Sequence, residues 1–138
     1  MSRRKKGLAV LGSTGSIGRN ALDIVRSNPD KFRVVSLAAG RNIALLKKQI
    51  EEFSPEFVSV EEKDAVSSVR RRGLKTGFGV AGASAAATFD GVDTVISAIV
   101  GAAGFLPTYS AIRAGKDVAL ANKETLVIGG GLVMREVK

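Results

Sequence analysis

The chain has 138 residues and a formal net charge of +8, a surplus that favours anionic ligands. It contains no cysteine, which excludes disulfides, thiolate metal sites and cysteine nucleophiles and suits a reducing cytoplasm. No apolar run approaches the roughly 20 residues of a membrane span, and the start lacks the cleavage pattern of a signal peptide. We therefore expect a cytoplasmic chain that has no membrane partner.

Short apolar runs alternate with helical patterns along the chain, which is typical of βαβ units and a parallel sheet. Helices are predicted from residue 17 to about 25, between Asn42 as N-cap and Ser54, over residues 63–73 closed by Gly73, and over 105–114 closed by Gly115. The predicted strands lie near residues 8–11, 34–38, 57–60, 78–80, 94–98 and 118–121. This order predicts one α/β domain over residues 1–138, with a Rossmann-like, doubly wound, mostly parallel sheet and helices on both faces.

A glycine-rich stretch, GSTGSIG, joins the first predicted strand to the first predicted helix. In a dinucleotide fold, the glycine at position 12 would allow a tight turn, Gly15 would let the backbone approach a pyrophosphate, and Gly18 would let the helix pack closely on the strand. The helix amino terminus adds free amides and partial positive charge. We therefore predict nucleotide binding at this turn. The alternative is a turn that is only structural.

The second predicted strand ends in LAAGRN, about 25 residues after the glycine turn. An NAD site commonly carries an Asp or Glu here for the ribose 2′-hydroxyl, whereas an NADP site must accept a 2′-phosphate. Gly40, Arg41 and Asn42 offer a guanidinium and an amide, and no carboxylate is close in sequence. The stretch therefore predicts NADP over NAD, with a solvated loop arginine as the alternative interpretation.

Two later segments follow predicted strands at their carboxyl ends, which is where open α/β sheets bind ligands. One is the loop of residues 98–101, and the other is the polar triplet Asn122, Lys123 and Glu124. Spacing alone does not distinguish a site at the triplet from an ordinary helix start, in which Glu124 would be favourable in the first turn.

The stretches GSTGSIG, LAAGRN and LANKE occur in this order, and from residue 6 onward the chain closely resembles the amino-terminal, NADPH-binding domain of the 1-deoxy-D-xylulose 5-phosphate reductoisomerase family. The resemblance implies an enzyme of the non-mevalonate isoprenoid pathway. Such an enzyme rearranges 1-deoxy-D-xylulose 5-phosphate and reduces the product with NADPH to 2-C-methyl-D-erythritol 4-phosphate. It also implies a homodimer that requires Mg²⁺ or Mn²⁺.

The resemblance further implies roles for individual residues. It places Lys123 at the substrate, near the reacting hydroxyl and carbonyl. The residues that it places at the cofactor are Gly12, Thr14, Gly15, Ser16 and Ile17 at the pyrophosphate, Gly40, Arg41 and Asn42 at the 2′-phosphate, Ala98, Ile99 and Val100 at the nicotinamide ribose, and Asn122 and Glu124 elsewhere along it.

In the family, an Asp and two Glu of a second domain hold the cation, and no matching motif is present in this sequence. We therefore predict no metal ligand here, and we expect the cofactor-binding part of a longer enzyme that binds NADPH without turnover. One alternative is the cofactor domain of another NADP-dependent oxidoreductase. A semialdehyde dehydrogenase, for example, would need a nucleophilic cysteine. The other is a non-catalytic nucleotide or nucleic-acid binding module, although aromatic residues for base stacking do not interleave with the basic runs.

Overall fold

The computed structural model describes residues 4–99, 101–120 and 133–134. Within them, seven strands form a single sheet in the order β4-β3-β2-β1-β5-β6-β7. Neighbouring strands pair in parallel from β4 through to β6, and β7 pairs antiparallel to β6. The strands are β1 (Lys6–Leu11), β2 (Phe32–Ala38), β3 (Phe57–Val60), β4 (Lys75–Phe78), β5 (Thr94–Ser97), β6 (Asp117–Leu120) and β7 (Val133–Met134).

Helices cover both faces of this sheet. Along β1, Leu8 and Val10 belong to one buried cluster and Ala9 and Leu11 to the other, because successive side chains of a strand point to opposite faces. The first cluster includes residues of α1, α2 and α3, and the second includes residues of α4 and α5. The helices are α1 (Ser16–Ser27), α2 (Ile43–Phe53), α3 (Val66–Val69), α4 (Gly79–Thr88) and α5 (Phe105–Arg113). The predicted doubly wound α/β architecture is confirmed.

The two helices that flank the predicted site each carry a local signal, a buried apolar face in α1 and an N-cap in α2. In α1, Ala21, Leu22 and Val25 are buried against the sheet. In α2, the Asn42 side chain accepts a hydrogen bond from the Leu45 amide at 3.1 Å, so the predicted N-cap is confirmed.

The segment around β4 and α4 differs from the prediction of a strand over residues 78–80. The strand ends at Phe78, and Gly79 has a φ of +67° at the start of a ten-residue helix that the sequence analysis missed. This helix, GVAGASAAAT, is built almost entirely of small residues. Its exposed and buried faces therefore carry the same residue types, and no amphipathic period marks it.

The predicted third helix over residues 63–73 is also wrong in its length. A short 3₁₀ turn, Lys63–Ala65, leads into α3, which ends at Val69. The arginines at 70–72 that follow are exposed, so continuing the helix would bury no further apolar residue. Gly73 instead takes a φ of +80° in the turn before β4.

The strand order creates a crevice at the carboxyl ends of β1 and β5. From β1, the chain adds β2, β3 and β4 on one side and then places β5 on the other side of β1. Loops that leave neighbouring strands in opposite directions open a gap between them, and open α/β sheets bind ligands there. The glycine turn lies at this crevice.

Candidate functional site

The glycine turn is tied to both neighbouring strands by its backbone. The amides of Gly12 and Ser13 donate hydrogen bonds to the Ala38 carbonyl at the end of β2, at 2.7 and 3.0 Å. Gly12 has a φ of +85°, and a Cβ there would lie 2.7 Å from the Ala98 carbonyl oxygen, just after β5. Only glycine fits this position, because both its left-handed backbone and its close approach to Ala98 exclude a side chain.

The other two glycines of the turn meet very different surroundings. A Cβ on Gly18 would lie 2.1 Å from the Gly12 carbonyl oxygen, so α1 can approach the turn only because residue 18 has no side chain. A Cβ on Gly15 would meet only the Gly12 carbonyl oxygen, at 3.6 Å. Folding therefore requires glycine at 18 but leaves space at the exposed Gly15.

The amino terminus of α1 begins at this open position. Gly15 is its N-cap and provides no capping side chain, and the Arg19 amide donates to the Gly15 carbonyl at 2.9 Å. The amides of Ser16, Ile17 and Gly18 precede that bond and have no intrahelical acceptor. Together with the positive end of the helix dipole, they make this terminus suited to an anion.

A buried side-chain amide of α2 donates a hydrogen bond to the backbone of the glycine turn. Gln49 Nε2 donates a hydrogen bond to the Ser13 carbonyl at 2.8 Å, and Gln49 is only 5% exposed. This bond fixes the orientation of the peptide that precedes Thr14. The sequence analysis missed Gln49, because it lies among polar helix residues and nothing local marks it as a contact of the turn.

The LAAGRN stretch places a cation next to the turn, but a carboxylate accompanies it. Arg41 Nε donates to Glu61 Oε2 at 3.2 Å, and both side chains are exposed. A Cβ on Gly40 would lie 3.9 Å from the same Glu61 oxygen. The Ala39 amide donates to the Ser59 carbonyl at 3.0 Å, so the end of β3 lies beside the end of β2. No carboxylate is close to Arg41 in sequence, but that of Glu61 is close to it in space.

A cleft of about 220 Å³ joins these groups. Gly12 and Gly40 line it from the two loops, Ile99 and Val80 provide apolar walls, and Glu61 lies on its lining as well. A larger groove of about 790 Å³, between α3, β4 and α4, shares no lining residue with it and is separate from the glycine turn.

Residues 98 and 99, which follow β5, lie against the glycine turn. The Ala98 amide donates to the Leu11 carbonyl at 2.9 Å, and Ile99 packs on the buried cluster beneath α4 and α5. The β6 strand ends at Leu120 in register with Ser97 of β5. The remaining predicted site residues, Val100, Asn122, Lys123 and Glu124, lie outside the described residues.

The described residues contain neither a metal-binding cluster nor a membrane-spanning helix. No three His, Cys, Asp or Glu side chains come together in this part of the chain as a cluster that could hold a metal ion. Among the same residues, no helix has both the length and the apolar character to cross a membrane.

Comparison with known proteins shows one family throughout. The family model described as 1-deoxy-D-xylulose 5-phosphate reductoisomerase matches residues 8–130. The chain is 56% identical over 137 residues to the protein of that name from Geotalea uraniireducens and 53% identical to that from Pelodictyon phaeoclathratiforme. Each alignment covers 96% of this chain and 36% of the relative, so the chain spans about a third of the relatives' length.

Solved structures of similar proteins agree with this result. The chain is similar to the Zymomonas mobilis 1-deoxy-D-xylulose 5-phosphate reductoisomerase in complex with NADPH, at 32% identity and a TM-score of 0.80, covering 88% of this chain and 33% of that one. It is also similar to a DOX-P reductoisomerase in complex with magnesium, at 36% identity and a TM-score of 0.79, covering 88% of this chain and 32% of that one.

Proposed function

Because the chain belongs to the 1-deoxy-D-xylulose 5-phosphate reductoisomerase family, we propose that residues 1–138 form the NADPH-binding domain of such an enzyme. The observation that carries this proposal is the open glycine turn. The space at Gly15 and the free amides at the start of α1 fit a diphosphate, whereas the turn's own packing explains only Gly12 and Gly18.

In this proposal, the cofactor extends from the turn along the carboxyl ends of the strands. The pyrophosphate lies on residues 14–17, and the adenosine ribose reaches residues 40–42, where the Arg41 guanidinium meets the 2′-phosphate. The Asn42 amide Nδ2 is available as a further donor, since its oxygen already caps α2. The adenosine occupies the cleft between Gly12, Gly40 and Ile99, and residues 98–100 flank the nicotinamide ribose.

The activity of the whole enzyme is part of the same proposal. NADPH, when bound, would supply the hydride for reduction of the rearranged sugar phosphate, so that the whole enzyme would convert 1-deoxy-D-xylulose 5-phosphate to 2-C-methyl-D-erythritol 4-phosphate. Lys123 would stabilise negative charge on the reacting oxygens of the substrate, and Asn122 and Glu124 would contact the cofactor. The required Mg²⁺ or Mn²⁺ would be held by residues other than those described, and the enzyme would be a cytoplasmic homodimer without nucleic-acid or membrane partners.

Isothermal titration of the 138-residue chain with NADPH and NADH tests the cofactor assignment. We expect NADPH to bind more tightly, because only NADPH carries the 2′-phosphate for Arg41. Arg41→Ala should weaken NADPH binding by about tenfold, equivalent to about 1.4 kcal/mol, and leave NADH binding nearly unchanged. Equal affinities of the unmodified chain for the two nucleotides would reject the 2′-phosphate site.

A further inference from the structure

We propose that Glu61 is a specificity-determining residue that limits the preference of this site for NADP(H) over NAD(H). The inference rests on the proposed function. It concerns a residue at the end of β3 that sequence analysis did not connect with the cofactor. Its carboxylate contacts the one arginine of the LAAGRN stretch and lines the cleft proposed for adenosine.

Glu61 contacts the Arg41 guanidinium at its Nε–H. Its Oε2 accepts the Arg41 Nε–H at 3.2 Å and lies 3.9 Å from where a Gly40 Cβ would be. A 2′-phosphate bound by the remaining N–H groups of Arg41 would therefore be separated from the carboxylate by about the width of one guanidinium. That spacing is well within the screening length of about 8 Å at physiological ionic strength. The phosphate carries up to two negative charges, so the carboxylate opposes it.

The same contact could instead help NADPH by holding Arg41 in position, and the geometry decides between these effects. A single hydrogen bond at 3.2 Å between two exposed side chains, 81% and 50% exposed, fixes an arginine only weakly. The negative charge that it brings next to a dianion is a full unit. Repulsion and neutralisation of Arg41 therefore outweigh positioning.

For NAD(H), the effect of the Glu61 carboxylate on binding is reversed. A ribose 2′-hydroxyl is uncharged and donates a hydrogen bond, and NAD sites commonly use a carboxylate to accept it. In those sites the acid follows the second strand, whereas here Glu61 follows the third strand and reaches the same place because β2 and β3 are paired. Glu61 thus disfavours the 2′-phosphate and favours the 2′-hydroxyl.

The test compares Glu61→Gln with Glu62→Gln by isothermal titration of the 138-residue chain with NADPH and NADH at low ionic strength. The control removes the same charge from the next, exposed residue, whose side chain does not cap the turn that follows. Glu61→Gln should tighten NADPH binding about two- to fivefold without tightening NADH binding. The control should change either affinity by less than about half of that. In an Arg41→Ala background, Glu61→Gln should tighten NADPH binding less but still more than the control, because the neutralisation of Arg41 is gone while the repulsion between carboxylate and 2′-phosphate remains.

Unchanged or weaker NADPH binding by Glu61→Gln would overturn the role of Glu61, as would an equal effect of Glu62→Gln. If the unmodified chain prefers NADPH in those experiments, the proposed function stands without it. If the unmodified chain and Glu61→Gln both bind NADPH and NADH equally, both proposals fail together.

Discussion

Alanine substitutions at Gly15 and Gly18 distinguish a residue needed for nucleotide binding from one needed for folding. Gly15→Ala adds a methyl group to open space, 3.6 Å from its nearest neighbour, while Gly18→Ala adds one 2.1 Å from a backbone oxygen. The first methyl group would enter the volume proposed for the pyrophosphate. The second would force α1 away from the turn. The two substitutions are chemically identical and lie within one turn of helix, so they serve as controls for each other.

The expected magnitudes follow from these distances. For Gly18→Ala, overpacking against backbone costs about 1–3 kcal/mol, and the better helix propensity of alanine returns up to about 1 kcal/mol. A net loss of about 1–2 kcal/mol lowers the Tm by about 3–7 °C in a domain of this size. For Gly15→Ala, the poorer N-cap and the lower entropy of the unfolded chain roughly offset each other, so the free energy of unfolding should change by less than about 0.5 kcal/mol.

The affinity for NADPH should change in the opposite order, with the larger loss in Gly15→Ala. A displaced pyrophosphate loses at least one hydrogen bond to a charged group, about 1.5 kcal/mol or more, so Gly15→Ala should weaken NADPH binding at least about tenfold. Thermal unfolding followed by circular dichroism and titration with NADPH measure the two effects on the same samples. A stable Gly15→Ala variant with unchanged affinity would refute binding of a diphosphate at this turn. A Gly18→Ala variant as stable as the unmodified chain would refute the close packing of α1.

Two further substitutions test the support of the turn and the pH dependence of the fold. Gln49→Leu should lower the free energy of unfolding by about 1 kcal/mol and weaken NADPH binding several-fold, because the Ser13 carbonyl loses its buried donor; chemical denaturation and titration measure both. Asp93 lies at the opposite end of β1 and β5, and although burial acts to raise its pKa, hydrogen bonds from the Gly7 amide and from Arg4 hold the pKa below its usual value. Because the pKa of Asp93 in the fold lies below the unfolded-state value of 3.8, the ionised carboxylate stabilises the fold above that pH, and this contribution is lost as the pH falls below it. Asp93→Asn should therefore lower the Tm at pH 7 and differ less from the unmodified chain near pH 3. A Tm difference that stays constant over this range would contradict the assigned contacts.

Local signals were sufficient to predict the structural elements on either side of the glycine turn. The glycine spacing, the buried stripe of α1 and the Asn42 cap act within a few residues of one another, so the sequence predicts them directly. The helix α4 escaped prediction because its alanines and glycines carry no period. Its existence depends on the sheet face that it covers.

Contacts between distant residues account for what was missed at the site itself. Glu61 lies 20 residues from Arg41, and Gln49 lies 36 residues from Ser13. Each pair meets only because parallel strands place their carboxyl ends at one edge and bring the following loops and helices with them. A search for acids near Arg41 along the chain could not find Glu61. Knowledge of the strand order would have pointed to it.

The central claim is that one nucleotide spans the glycine turn and the LAAGRN loop. Amide chemical-shift mapping by NMR, with NADPH titrated into the isotope-labelled 138-residue chain, tests it most directly. We predict the largest shifts at the amides of residues 14–18 and 40–42, with NADH reproducing the first group and shifting the second much less. Shifts confined to the groove between α3, β4 and α4, with the glycine turn unaffected, would contradict the account.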